Sequence, residues 1–207
     1  MHDAWLERWQ IGRIGWHEAD GNSNLQRHWR ARGRRVLVPL CGKTPDLLWL
    51  EAQGHEVVGV ELSDIAVRAF FDENGLSYER KEGALDEYRA SERRITIYCG
   101  DYFELEESGF DAHYDRGALV ALSPELRPEY ARHTSSLLSA GAEQLVIGVQ
   151  YDQEVCDGPP FSISADEMRG YWPDLRVVAT VDDTANAPPK FLEAGLDLMH
   201  ETVWRSP

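Results

Sequence analysis

Cysteine is scarce in this chain: among 207 residues there are three, Cys41, Cys99 and Cys156, widely spaced and without a C-x-x-C pair. Such a set offers neither a zinc site nor a redox couple, no metal is expected, and a reducing cytoplasm fits best. Long apolar runs are also missing. None approaches the roughly 20 residues needed to cross a bilayer, and the opening MHDAWLERWQIGRIGWHE lacks the apolar core of an export signal. The chain reads as soluble, unexported and without membrane contact. Positive charge is in deficit, with 21 Lys and Arg against 36 Asp and Glu and a net charge of -15. A surface of that sign repels a phosphate backbone and argues against nucleic acid as a partner.

Internal repeats and low-complexity tracts are absent as well, so organisation is read from apolar runs and their punctuation. Strand-like runs fall at 36–40, 57–61, 95–99, 113–115, 145–150, 175–181 and 196–204. The early ones are short, rich in Val and Ile and separated by helical segments, as expected for strands buried on both faces of a parallel sheet. Caps mark the helices. Thr44 with Pro45 starts one that stops near Gly54, Ser63 with Asp64 starts another ending near Gly75, Ser123 with Pro124 a third, and Ser164 with Glu167 forms a capping box for a fourth. This alternation predicts one doubly wound α/β domain, 1–207, followed late in the chain by a strand pair suited to an antiparallel edge. No strong apolar surface stripe stands out, so a monomer is expected.

Ligands of open parallel sheets bind beyond the carboxyl ends of the central strands, and the first strand delivers PLCGK there. Gly42 lets backbone approach a ligand closely, and the helix start beside it presents N–H groups. A dinucleotide pyrophosphate would use G-x-G-x-x-G, and two of those three glycines are missing. Glu61 closes the second strand, where a carboxylate can accept from both hydroxyls of a ribose. Its plain alternative is an exposed acid at a strand end. Turn, helix start and carboxylate together point to a ribose-bearing ligand without phosphates, with S-adenosylmethionine (SAM) as the leading candidate. YCGDYF adds Asp101 and Tyr102 just past the third strand, suited to the edge and face of an adenine.

WLERW, PLCGK with LLWL and GHEVVGVELS, then YDRGALVAL and YDQEVCDGPPFSIS, occur in that order. Together they resemble the thiopurine S-methyltransferase family, bacterial branch, of class I SAM-dependent methyltransferases. The resemblance implies a Rossmann-like, mostly parallel seven-stranded sheet with an antiparallel final strand, helices on both faces, and SAM converted to S-adenosylhomocysteine. It places SAM contacts at Trp9, Leu40, Glu61 and Arg116, with Trp5, Asp101 and Tyr102 nearby, and Trp16 at the acceptor pocket. Where the family tends to carry an arginine near the acceptor, this chain has Lys190, which keeps the charge and loses the forked donor geometry. The implied acceptor is a small soft nucleophile: a thiol or thiopurine sulfur, or a reduced selenium or tellurium species, oriented by Arg116 and Lys190.

The same residues have a reading of their own. Trp5 and Trp9 share a helix face, so residues 1–30 can form a helical lid with two aromatic rings over a cationic sulfonium; docking of that helix onto the core is the alternative. Arg116 faces the ligand edge or else pairs with Asp115 or Asp101. Phe161, in GPPF, borders the acceptor or belongs to an ordinary turn. His17 with Glu18 resembles an acid/base pair, although a surface or capping role fits better. Cys41 reads as a packed small residue, since methyl transfer needs no covalent enzyme intermediate. A nicotinamide-dependent reductase and a noncatalytic adenosyl-binding domain are the rival functions on such a sheet.

Overall fold

A computed structural model describes residues 2–207. Its strands are β1 (Arg35–Val38), β2 (Glu56–Glu61), β3 (Tyr78–Lys81), β4 (Asp86–Ala90), β5 (Ile95–Cys99), β6 (Phe110–Arg116), β7 (Leu138–Tyr151), β8 (Arg176–Asp182) and β9 (Met199–Arg205). The helices are α1 (His2–Gln10), α2 (Ser23–His28), α3 (Asp46–Ala52), α4 (Asp64–Glu73), α5 (Arg127–Leu137), α6 (Ala165–Tyr171) and α7 (Pro189–Glu193). All nine strands form one sheet in the order β3-β4-β5-β2-β1-β6-β7-β9-β8.

The central strands bury both faces, which explains their unbroken apolar sequences. Val36, Val38, Val57 and Tyr114 pack on one side against Leu47, Leu50, Phe70 and Phe71 of α3 and α4. Leu37, Val58, Val60 and Val146 pack on the other against Tyr130, Met168 and Trp172. The strands β5, β2, β1, β6 and β7 run parallel, while β9 is antiparallel to both β7 and β8. The seven expected strands are thus one contiguous block with its last strand reversed.

The count of seven needs correcting to nine. An unforeseen hairpin, β3 with β4, joins the opposite edge by antiparallel pairing of β4 with β5. An edge hairpin needs apolar residues on only one face. Tyr88 and Ala90 supply it, with Phe71 and Tyr78 against Tyr88. The charges of YERK point outward from β3 and discourage pairing with another chain.

Two helix starts agree with their caps, since Ser63 Oγ accepts from Ala66 N at 3.4 Å and Ser164 Oγ from Glu167 N at 3.1 Å. The third starts later than expected, at Arg127. Ser123 spends its carbonyl on a turn to Leu126 N at 3.0 Å, and Pro128 in place of Pro124 occupies the first helical turn.

Candidate active site

The strand order reverses between β1 and β6, so the crevice of interest lies at their carboxyl ends. Leaving β1, the chain turns through two left-handed residues, Leu40 at φ 46° and Gly42 at φ 56°. A leucine held in that region is strained, and what holds it is the next residue's bond, from Cys41 N to Val60 O at 2.9 Å. Gly42 is required on two counts. Its φ favours glycine, and a Cβ there would come within 3.3 Å of the Trp9 ring.

Glu61 closes this turn from beneath. Its Oε2 accepts from Gly42 N and its Oε1 from Ser63 N, each at 2.8 Å. The side chain is buried, which pushes its pKa up, while the amides of Ser63, Gly42 and Leu62 pull it back. The exposed strand-end acid of the plain alternative is therefore not what forms. Each oxygen of a carboxylate has a second lone pair beyond the one used here. The start of α3 is less open than expected: Asp46 N donates to Thr44 Oγ1 at 3.2 Å, and Leu48 N and Trp49 N both return to Pro45 O.

Above the turn lies the N-terminal segment. Trp16 is wedged between Trp5 and Trp9, edge to face, with ring centroids 5.1 and 5.9 Å apart. The Trp5 face expected over a cation has one already, the Arg8 guanidinium at 4.6 Å. Trp9 is the ring that reaches Gly42. Asp46 fixes this segment to the sheet, accepting Asn22 N through Oδ1 and the Tyr114 hydroxyl through Oδ2, both at 2.8 Å.

Arg116, at the end of β6, also holds the segment down. Its Nη1 donates to Trp16 O at 2.6 Å and its Nη2 to Glu18. The ion pairs weighed for it, with Asp115 or Asp101, do not form. Asp101 accepts Phe103 N at 3.0 Å, capping a short turn. Asp115 is fully buried and takes the amides of Ala118 and Leu119 and the hydroxyl of Tyr130.

Three expected site residues have protein contacts of their own. The Tyr102 ring does not present a face to the crevice, because it is buried against Tyr130 and His133 with its hydroxyl on Thr134 Oγ1 at 2.9 Å. Trp16 braces α1, and its backbone carbonyl is what meets Arg116. Lys190, exposed on α7, donates to the Asp157 carbonyl at 2.8 Å. That bond does tie α7 to the loop carrying Phe161, whose amide donates to Val120 O at 2.7 Å. Behind the loop sits Arg127, which sequence reading passed over. It is fully buried, and its donors reach the carbonyls of Leu122, Phe161 and Ser162 and the carboxylate of Glu167.

Two neighbouring groups stay uncharged. Burial and Lys43 lower the His17 pKa, and burial beside Glu61 raises that of the Cys41 thiol far above its usual value. Cys41 is packed, with its sulfur 2.7 Å from where a Cβ on Gly59 would lie. Among the described residues, no group of three His, Cys, Asp or Glu side chains is placed to hold a metal, and no helix is long and apolar enough to cross a membrane.

Burial raises the Asp115 pKa from 3.8 to about 6 in spite of its donors. The folded state therefore holds this proton more tightly than the unfolded chain. Its contribution to stability is complete below pH 4 and is lost as pH rises through 6, a difference of about 3 kcal/mol. Denaturant titrations at pH 4 and pH 7 should show wild type losing about that much more than Asp115→Asn. Equal losses would refute the assignment.

A closed turn gripped by a buried carboxylate stands at the reversal point of a sheet in which β9, one strand in from the edge, runs against its neighbours, and comparison with known proteins places this fold in the class of the Rossmann-like SAM-dependent methyltransferases. Of solved structures, one similar in fold is the 1,6-didemethyltoxoflavin-N1-methyltransferase of Burkholderia thailandensis, described with bound 1,6-didemethyltoxoflavin and S-adenosylhomocysteine. Its TM-score is 0.64 at 17% identity, over 99% of this chain and 86% of that one. The family profile described as thiopurine S-methyltransferase matches residues 1–206. Curated proteins named thiopurine S-methyltransferase are 44% identical in Bordetella petrii (98% of this chain, 96% of that protein) and 40% identical in Pseudomonas syringae pv. syringae (98% and 96%). The chain belongs to the thiopurine S-methyltransferase family.

Proposed function

We propose that the crevice binds SAM and that the protein transfers its methyl group to the sulfur of a small thiol or thiopurine, or to a reduced selenium or tellurium species. The observation that carries this reading is the Glu61 carboxylate, buried at the end of β2 with both oxygens on the amides of the β1 and β2 turns. A sugar diol fits its remaining lone pairs, and Gly42, packed beneath Trp9, puts bare backbone beside them. Leu40 lies in the same turn and Asp101 beyond β5, on the adenine side. Residues 1–30 act as the lid.

SAM supplies an electrophilic methyl on a cationic sulfur. The acceptor's lone pair forms the new bond to that carbon while the carbon–sulfonium bond breaks and its electron pair returns to sulfur. The chain's own part is alignment and exclusion of water, effects worth about 7 to 11 kcal/mol at ideal geometry. Arg116 and Lys190 orient the body of the acceptor, with Phe161 bordering it. An aromatic thiol is largely ionised near neutral pH, so it needs no dedicated base.

A labelled-methyl screen over thiols and reduced selenium species tests the reaction, and transfer to at least one aromatic thiol is expected. Lys190→Ala should raise the acceptor KM about tenfold, the scale of one charge-assisted contact, while S-adenosylhomocysteine binds as before. Binding without transfer to any acceptor would reject the acceptor class, and an unchanged KM would remove Lys190 from it.

A further inference from the structure

The Arg116 guanidinium is not a free charge. Nη1 is committed to the Trp16 carbonyl at 2.6 Å and Nη2 to Glu18. Glu18 is itself fixed from a second side, because its Oε2 accepts Asn22 Nδ2 at 3.1 Å. Asn22 is buried, caps α2 through its side chain, and gives its backbone N–H to Asp46. This carboxylate is therefore built into the wall beside Arg116 and does not swing on a surface stalk.

A second acid lies close by. Glu201 of β9 stands opposite Val149 near the carboxyl end of β7 and accepts from the buried Asn24 side chain. Burial raises its pKa, against the pull of the Asn24 amide and of Arg116. The guanidinium thus has one carboxylate fixed directly against it, that of Glu18. Opposite charges that are already paired offer little attraction to a third, and a chain of net charge -15 repels an added anion.

Resting on the acceptor role proposed for Arg116, the geometry points to Glu18 as the residue that sets the charge of the acceptor. By neutralising Arg116 it selects thiols whose negative charge is confined to the reacting atom and turns away those that carry a further fixed anionic group. Methyl transfer is unaltered in its chemistry. What Glu18 changes is which acceptor bodies settle against β6.

The test compares 4-methylbenzenethiol with 4-mercaptobenzoate, close in size and different by one carboxylate. Wild type should prefer the uncharged-bodied thiol. Glu18→Gln keeps the side-chain length and an oxygen for Arg116 and removes the charge, so the ratio of kcat/KM for the carboxylated over the methyl compound should rise about tenfold, through KM. An unchanged ratio in a variant that still binds S-adenosylhomocysteine would overturn the proposal. If that variant fails to fold, wild type decides: the ratio should rise between low and high ionic strength as repulsion is screened, and a salt-independent ratio would overturn it. Failure of the underlying acceptor reading looks different, since neither thiol would then be methylated although S-adenosylhomocysteine binds.

Discussion

Glu61→Ala should weaken S-adenosylhomocysteine binding by roughly 10- to 150-fold, the loss of about 1.5 to 3 kcal/mol of charge-assisted hydrogen bonding. The same change strips the buried amides of Gly42 and Ser63 of their acceptor, at about 1 to 3 kcal/mol of stability for each group left unpaired. Binding and melting temperature should fall together. Glu61→Gln retains one acceptor oxygen and should lie between wild type and alanine in both. Titration calorimetry alongside thermal melts separates the two roles. A lowered melting temperature with unchanged affinity would leave Glu61 as a brace for the turn and remove it from the ligand.

Arg127→Met is expected to cost about 3 to 5 kcal/mol of stability. The guanidinium is fully buried, and it satisfies three backbone carbonyls and Glu167 at once. Methionine fills much of the space and serves none of them. For a chain of this length the melting temperature should drop by roughly 10 °C. Because Phe161 and Ser162 lose their anchor, hydrogen exchange should also quicken around residues 158–163. A melting temperature within about 2 °C of wild type would show that these carbonyls find water at no cost.

How far the fold could be read from sequence depends on what each element must bury. β1, β2 and β5 are covered on both faces, and the short Val- and Ile-rich runs that result are visible without a structure. β3 and β4 sit at an edge and expose charge, so YERK and DEYRA resemble a loop. The first half of β7, LSAGAEQ, is half-exposed and begins directly after α5, with no turn to announce it. Local caps at Ser63 and Ser164 were legible because the bond lies within three residues.

The site divides along the same line. Gly42 and Glu61 stand at fixed places in a strand–turn–helix–strand unit, so spacing alone brings them together. Glu18 meets Arg116 across 98 positions, Asp46 meets Tyr114 across 68, and Arg127 meets Glu167 across 40. Nothing local marks such pairs, since an acid after a histidine or an arginine before a proline is ordinary in a solvated segment. The orientation of Tyr102 was hidden for a related reason: its position after β5 suits an adenine, and the packing of α5 draws the ring inward.

The most direct measurement is a crystal soaked with S-adenosylhomocysteine. Density for the sugar should lie at the carboxyl ends of β1 and β2, with both hydroxyls within about 3 Å of the Glu61 oxygens and the homocysteine sulfur turned toward Arg116. A nucleoside bound at any other place, with Glu61 still engaged by Gly42 and Ser63 alone, would contradict the account.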